Sequence, residues 1–260
     1  VQDLIETGII KEVPMDHIDD FSDERHKAWC IQCGKTLSLT KGESNKDHVP
    51  SQCMLDKKAP DNLPEVRICR ECNAGFSGDE EYFVAFLGSV ISGTADPKGQ
   101  AIKRSERVLA SNRKIQEAVE SSLTVQTDSS GKERVVFVPD MERILRVIVK
   151  NARGHVYFEH GQPVFGEPDY ANAVPLEVMT KHQASAFLNV DHGGVWPEVG
   201  SRMMQRLART AFGVDDPDFK DGWVIVQPGV YRYTAIDDDR FVVRIIMREY
   251  LAAEVIWERD

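Results

Sequence analysis

Four cysteines in two identical spacings constrain this chain more than anything else in it: Cys30-Ile-Gln-Cys33 and Cys69-Arg-Glu-Cys72. Each Cys-x-x-Cys turn presents two thiolates to one ion, and two such turns complete a closed tetrahedral site of the kind zinc prefers. Gly34 follows the first pair, where the turn calls for a residue free to adopt positive φ. A closed four-sulfur site leaves no position for substrate, so the spacing predicts a structural zinc that staples a small core. The fifth cysteine, Cys53, has no partner at ligand spacing and reads as a buried thiol. An odd cysteine count favours metal binding over disulfides and a reducing, cytoplasmic setting. Residues 1–10 are mixed in charge and lack a basic leader, so no secretory signal is expected, while the start at Val1 rather than Met leaves room for sequence upstream.

The remaining composition narrows the class. With 42% hydrophobic and 28% charged residues, the chain reads as globular rather than disordered. No apolar run of about 18 residues occurs, so no membrane span is expected. The net charge of −10 argues against a protein that coats nucleic acid without selectivity, because phosphate contacts need Lys and Arg. The charge is uneven, however. Residues 98–114 carry Lys98, Lys103, Arg104, Arg107, Arg113 and Lys114 against the single acid Glu106. That stretch is the candidate for positioning phosphates, together with Lys46; a solvated helix face is its plainer reading.

The segment between the cysteine pairs is longer than a plain zinc ribbon needs. Inside it lies Lys46-Asp47-His48-Val49-Pro50. Asp-His occurs at 16–17, 47–48 and 191–192, and only the middle pair falls between the cysteines. Asn62-Leu63 follows before the second pair, and Asn73 comes directly after Cys72. Asp-His-Val-Pro, Asn-Leu and Cys-x-x-Cys-Asn in this order resemble the HNH nucleases, the ββα-metal or His-Me finger group, in their zinc-braced form. The resemblance covers residues 30–77, and the stretch 75–82 is similar to a common bacterial subgroup.

The resemblance implies a ββα fold and a role for each matching residue. His48 would be the general base, Asp47 and Asn73 would bind one catalytic divalent ion, and Asn62 would brace the loop and orient His48. The family's third position is often His and is Asn73 here. The basic residue often found three places later is Phe76, which removes one expected phosphate contact. Hydrolysis of a phosphodiester needs a base, an in-line water and stabilisation of charge on phosphate and leaving oxygen. A histidine imidazole suits the first need near neutral pH. A carboxylate with an amide oxygen is a hard, sparse donor set that favours magnesium or manganese. The expected activity is an endonuclease that cuts or nicks DNA. An RNA-cutting effector with the same site is the first alternative, and a non-catalytic zinc module that binds nucleic acid or protein is the second.

Patterning places these motifs in an α+β chain. One or two short helices broken at Pro14 are expected over residues 1–27. A helix is expected from Ser77, capped by Ser77 and Glu80, to about Gly93, and a basic amphipathic helix over residues 100–120. A hairpin over 124–139 turns at Ser129-Ser130-Gly131, and Asp140 caps a helix through Ile144, Leu145, Ile148 and Val149. Arg153-Gly154-His155 and Glu159-His160 read as a solvated helix end, and His17, His26, His182 and His192 as structural or surface residues. A helix over 200–211 precedes an antiparallel meander with strands at 223–227, 230–236, 241–248 and 253–257, turning at Asp237-Asp238-Asp239. The expected division is a nuclease module with flanking helices over 1–125 and an α+β domain of unknown role over 126–260. The acidic second part is a candidate for binding a partner protein or a second copy. By analogy with the range of the family, the setting would be phage defence or restriction.

Overall fold

The structure, a computed structural model, describes residues 28–37, 44–127, 131, 133–192 and 196–259, with backbone alone at 133–135. The helices expected over 1–27, with His17 and His26, and the turn residues Ser129 and Ser130 lie outside the described residues.

The architecture is α+β. Strands β1 (Ser44–His48) and β2 (Glu65–Cys69) pair antiparallel, with Ser44 opposite Cys69 and His48 opposite Glu65. β2 runs directly into helix α1 (Arg70–Ser92), completing a ββα unit. The helix therefore begins at Arg70, not at Ser77. Its N-cap is Cys69, whose sulfur accepts the Cys72 amide at 3.4 Å, a job that Ser, Thr, Asp or Asn usually performs. Ser77 lies inside the helix and donates to the Ala74 carbonyl. Gly93, at φ 67°, ends it.

The basic segment forms two helices rather than one: α2 (Lys103–Ser111) and α3 (Arg113–Ser121). Asn112 adopts an extended backbone and its Oδ1 accepts the Ile115 amide at 3.3 Å, so it stops one helix and caps the next. Strands β3 (Leu123–Thr127) and β4 (Glu133–Phe137) make the expected hairpin. Asp140 then caps helix α4 (Met141–His160) through the Arg143 amide, and Gly161 closes it at φ 73°.

The C-terminal half builds a six-stranded antiparallel sheet. β5 (Tyr170–Pro175) is followed by helices α5 (Lys181–Leu188) and α6 (Arg202–Ala211). Then come β6 (Phe219–Lys220), β7 (Trp223–Gln227), β8 (Tyr231–Asp238), β9 (Arg240–Met247) and β10 (Leu251–Glu258). The order is β5-β10-β9-β8-β7-β6. The meander matches the alternation in the sequence, and the tight β8–β9 turn sits at Asp239, φ 41°. β5, which the sequence pattern does not flag, pairs with β10 at one edge.

Helix α4 is the axis of the molecule. Residues 147–157 are all buried, so partners enclose this stretch on every side. It packs against α1 and against the large sheet. One core cluster contains Tyr82 and Phe83 of α1, Val147 and Ile148 of α4, and Tyr231, Val243 and Val255 of the sheet. That core crosses from residues before 125 to residues after 126. Each apolar side chain enclosed here contributes about 1.5–3 kcal/mol relative to exposure.

Burial of α4 overturns one expectation. His155 and Glu159 are 0% exposed and His160 is 2% exposed, so this is no solvated helix end. A charged group in such surroundings is costly unless it is paired. Glu159 accepts from the Tyr233 hydroxyl at 2.7 Å and pairs with Arg206 at 3.1 Å. His155 stacks on the Tyr233 ring and bonds the Tyr231 hydroxyl at 2.9 Å. His160 bonds the Ala235 carbonyl at 3.0 Å. Among the described residues, no helix is long and apolar enough to cross a membrane.

Candidate functional site

The two cysteine turns meet. The sulfurs of Cys30, Cys33, Cys69 and Cys72 all lie within 4.8 Å of one another, and Cys33 Sγ is 3.9 Å from Cys69 Sγ. A tetrahedral zinc with bonds of about 2.3 Å puts its sulfurs about 3.8 Å apart, so the cluster fits the ion. The first turn closes through the Gly34 amide on the Cys30 carbonyl at 2.8 Å, with Gly34 at φ 70°. Burial pushes the Cys30 thiol up. Burial and the hydrogen bond to Cys69 push Cys72 up as well. At Cys69 burial is outweighed by the Cys72 amide and neighbouring thiols, and the net direction is down. A zinc ion in such a site binds its cysteines as thiolates, so binding would release the protons that burial favours on Cys30 and Cys72. The local core is small: Cys30, Leu37, Ile68 and Cys69, with Cys72 and Phe76 against it. The first turn is also tied to α4. Gln32 donates to the Lys150 carbonyl at 3.1 Å, and Arg153 donates to the Gln32 carbonyl at 3.3 Å.

β1 carries the Asp-His pair at its end. Successive strand residues point to opposite faces, so the two side chains part. His48 is on the open face with Lys46 and the cross-strand Glu65. Its Nε2 is 4.0 Å from Glu65 Oε1, while Lys46 holds Glu65 Oε2 at 2.6 Å. That bond with Lys46 lowers the Glu65 carboxyl below its usual range. His48 Nδ1 is buried with no hydrogen-bond partner, so Asn62 does not orient the ring in this arrangement. Asn62 is exposed on the lip of a separate cleft of ≈ 140 Å³, with Val49, Phe158, Arg206 and Tyr233.

Asp47 points inward, on the side of Val66 and Ile68. Its Oδ2 lies 2.8 Å from the ammonium of Lys150, which is 3% exposed. Lys150 also meets Glu80 Oε1 at 2.5 Å and Ser51 Oγ at 3.0 Å. Ser51 donates to Glu80 at 2.6 Å, and the Ser51 amide donates to Asn151 Oδ1 at 2.7 Å. Burial raises the Asp47 carboxyl above its usual value, with Lys150 opposing. For Lys150, burial works against the charge, but Asp47 and Glu80 outweigh it and the ammonium is held more firmly than usual. Asn73, in the first turn of α1, is half-buried and its side chain makes no hydrogen bond among the described residues. The Asp47 carboxylate is engaged by Lys150.

The basic residues divide. Lys103, Arg104 and Arg107 line a cleft of ≈ 600 Å³, and Lys57 and Lys58 from the β1–β2 connection join them. The one acid on its wall, Asp56, is neutralised by a two-pronged bond to Arg248 at 2.9 and 2.8 Å. Arg104 donates to the Gln52 carbonyl at 3.1 Å, which fixes the cleft beside the segment that follows His48. Lys98 lies outside this cleft in the turn Pro97–Gly99, and Lys46 is held on the open face of β1.

No family model, curated protein or solved structure matches this chain.

The sequence offers Glu80 and Glu81 as extra acids that could reach the site, with helix capping their simpler reading; Ser51, Lys150 and the Lys57-Lys58 pair are what sequence reasoning missed. Lys57-Lys58 was visible as adjacent cations inside the insert. Lys150 had a weaker signal, a lone lysine following the apolar run 147–149.

Proposed function

We propose that the chain is a phosphodiester-cleaving nuclease of the HNH type, with DNA as its leading substrate. One observation carries this reading. The Asp47-His48 pair closes β1 against a strand that runs straight into the cysteine-bearing start of α1, where Asn73 sits. In this reading His48, 33% exposed on the open face, takes a proton from the attacking water. Its Nε2 lies 4.0 Å from Glu65 Oε1. The cleft of Lys57, Lys58, Lys103, Arg104 and Arg107 holds the phosphate backbone. The four thiolates take zinc as a structural ion. Magnesium or manganese suits the hard oxygen of Asp47, but that oxygen now belongs to Lys150.

The test is a plasmid-nicking assay on the zinc-loaded chain, with and without magnesium or manganese, against His48→Ala. Nicking lost in the variant supports the reading. Equal activity in both proteins, or none in either under any ion, ends it. Single-stranded DNA and RNA substrates separate the DNA-cutting from the RNA-cutting alternative.

A second reading is favoured by the Asp47–Lys150 pair itself. With its carboxylate locked, the module would bind nucleic acid or protein without cutting. Binding through the basic cleft in the absence of cleavage would select it.

A further inference from the structure

Behind β1, three hard oxygen donors converge on one nitrogen. Asp47 Oδ2, Glu80 Oε1 and Ser51 Oγ lie 2.8, 2.5 and 3.0 Å from Lys150 Nζ. An ammonium has three donors and no acceptor, so this set matches it one for one. The oxygens belong to the candidate site: the Asp47 strand, the segment after His48, and the helix that carries Asn73. The cation comes from elsewhere, on α4. Two carboxylates face one ammonium, so the pocket retains a net negative charge that a doubly charged ion would balance better. Magnesium binds oxygen at about 2.0–2.1 Å and calcium at about 2.3–2.6 Å, so the oxygens move inward by about 0.4–1.0 Å to take magnesium and by no more than about 0.7 Å to take calcium. The Phe76 ring, with its centroid 5.5 Å from Nζ, already borders the ammonium on another side.

We infer that Lys150 is the resident cation of an oxygen pocket made by Asp47, Glu80 and Ser51, and that a divalent ion reaches Asp47 only by displacing it. The Glu80 carboxylate, rather than the Asn73 amide oxygen, is then the second ligand beside Asp47 toward the ion. The inference rests on the ion-binding part of the nuclease reading and not on cleavage.

The experiment titrates manganese into the zinc-loaded full chain and follows the free ion by its magnetic resonance signal. Lys150→Met should bind manganese at least about tenfold more tightly than the native chain. Asp47→Asn or Glu80→Gln, added to Lys150→Met, should remove that gain. Equal affinity in the native chain and Lys150→Met, or binding by neither, overturns the inference. A measurement on the native chain guards against a variant that fails to fold. Reductive methylation read by mass spectrometry should leave Lys150 unmodified without manganese and modify it as manganese rises, at the midpoint of binding. Saturation of an Asp47-dependent manganese site with Lys150 still protected also overturns it. Neither readout uses cleavage, so a failure to nick DNA and a failure of the exchange are separate results.

Discussion

Glu159 of α4 and Arg206 of α6 form an ion pair at 3.1 Å in which the carboxylate is fully enclosed. Tyr233 donates its hydroxyl to the same carboxylate at 2.7 Å, and Asp216 flanks the guanidinium at 3.6 Å. Removing one partner of such a pair strands the other. Arg206→Met should destabilise the protein by about 3–5 kcal/mol in urea unfolding. Pairing it with Glu159→Leu should restore much of the loss. A double variant as unstable as the single one would show that hydrogen bonding, not charge, governs this contact.

Zinc should hold the ββα unit together. The purified chain should carry a single zinc ion that survives dialysis, and Cys69→Ser should abolish it. Because binding and folding of such sites are one process, a strong chelator should expose residues 28–69 to protease. The sheet formed by β5–β10 should resist for longer, since its core is independent of the thiolates. Metal analysis with limited proteolysis checks this.

His48→Ala should leave thermal stability within about 0.5 kcal/mol of native, because the ring is partly exposed and its Nδ1 has no hydrogen-bond partner. In the nuclease reading the same change lowers the cleavage rate by about 10²–10⁴-fold. A small rate effect with intact folding would remove the imidazole from the chemistry.

Charge reversal in the cleft should act through salt. Lys57→Glu with Lys58→Glu should weaken DNA binding across unrelated sequences and flatten the plot of log affinity against log salt by about 0.9 for each phosphate no longer neutralised. Lys98→Glu, outside the cleft, should do neither. Fluorescence anisotropy at several salt concentrations gives both numbers.

Acid should weaken the fold through its enclosed histidines. Burial lowers the proton affinity of His155, His160 and His192 below the ordinary value. In the unfolded chain these side chains take protons near pH 6.5, while the folded chain resists. Their stabilisation is complete above that pH and declines as the pH falls toward the lower folded values. Each histidine contributes a slope of up to about 1.4 kcal/mol per pH unit in that window. His155→Gln keeps a polar partner for Tyr231 and cannot titrate, so its urea midpoint should fall less steeply between about pH 7 and 5.5. Parallel slopes for the native and variant chains would contradict this.

Local signals made much of the fold legible. The alternation in β7–β10, the Asp140 cap, the Gly93 stop and the paired Cys-x-x-Cys turns were each written within a few residues. The start of α1 was not, because its cap is a cysteine sulfur, a role tied to the thiolate cluster rather than to helix preference. Asn112 did carry a cap signal, but the basic periodicity on both sides masked it. Thr180 and Gln183 likewise make a capping box for α5 that passed unread.

The hardest part to foresee was the polar content of α4. Lys150, Glu159 and His160 look like solvated positions when judged by their neighbours in sequence. Their partners, Asp47, Glu80, Arg206 and Ala235, lie far off along the chain. Pairing of that range depends on tertiary packing, which no local pattern encodes. The same holds for the candidate site, where the motif residues were evident and the cation facing Asp47 was not.

At residue 154 the helix axis comes nearly bare to the strand end. A Cβ there would fall 2.6 Å from Val49 Cγ2 and 2.8 Å from Cγ1. Val49 directly follows His48, and it packs with Ile31, Val66 and Tyr157. A single methyl at this point would act as a shim, lifting the imidazole-bearing end of β1 away from its support without touching any polar group. The spacing between helix and hairpin is thus set by a hydrogen atom, and a conservative-looking exchange to alanine would alter the placement of His48 more than many charge reversals on the surface.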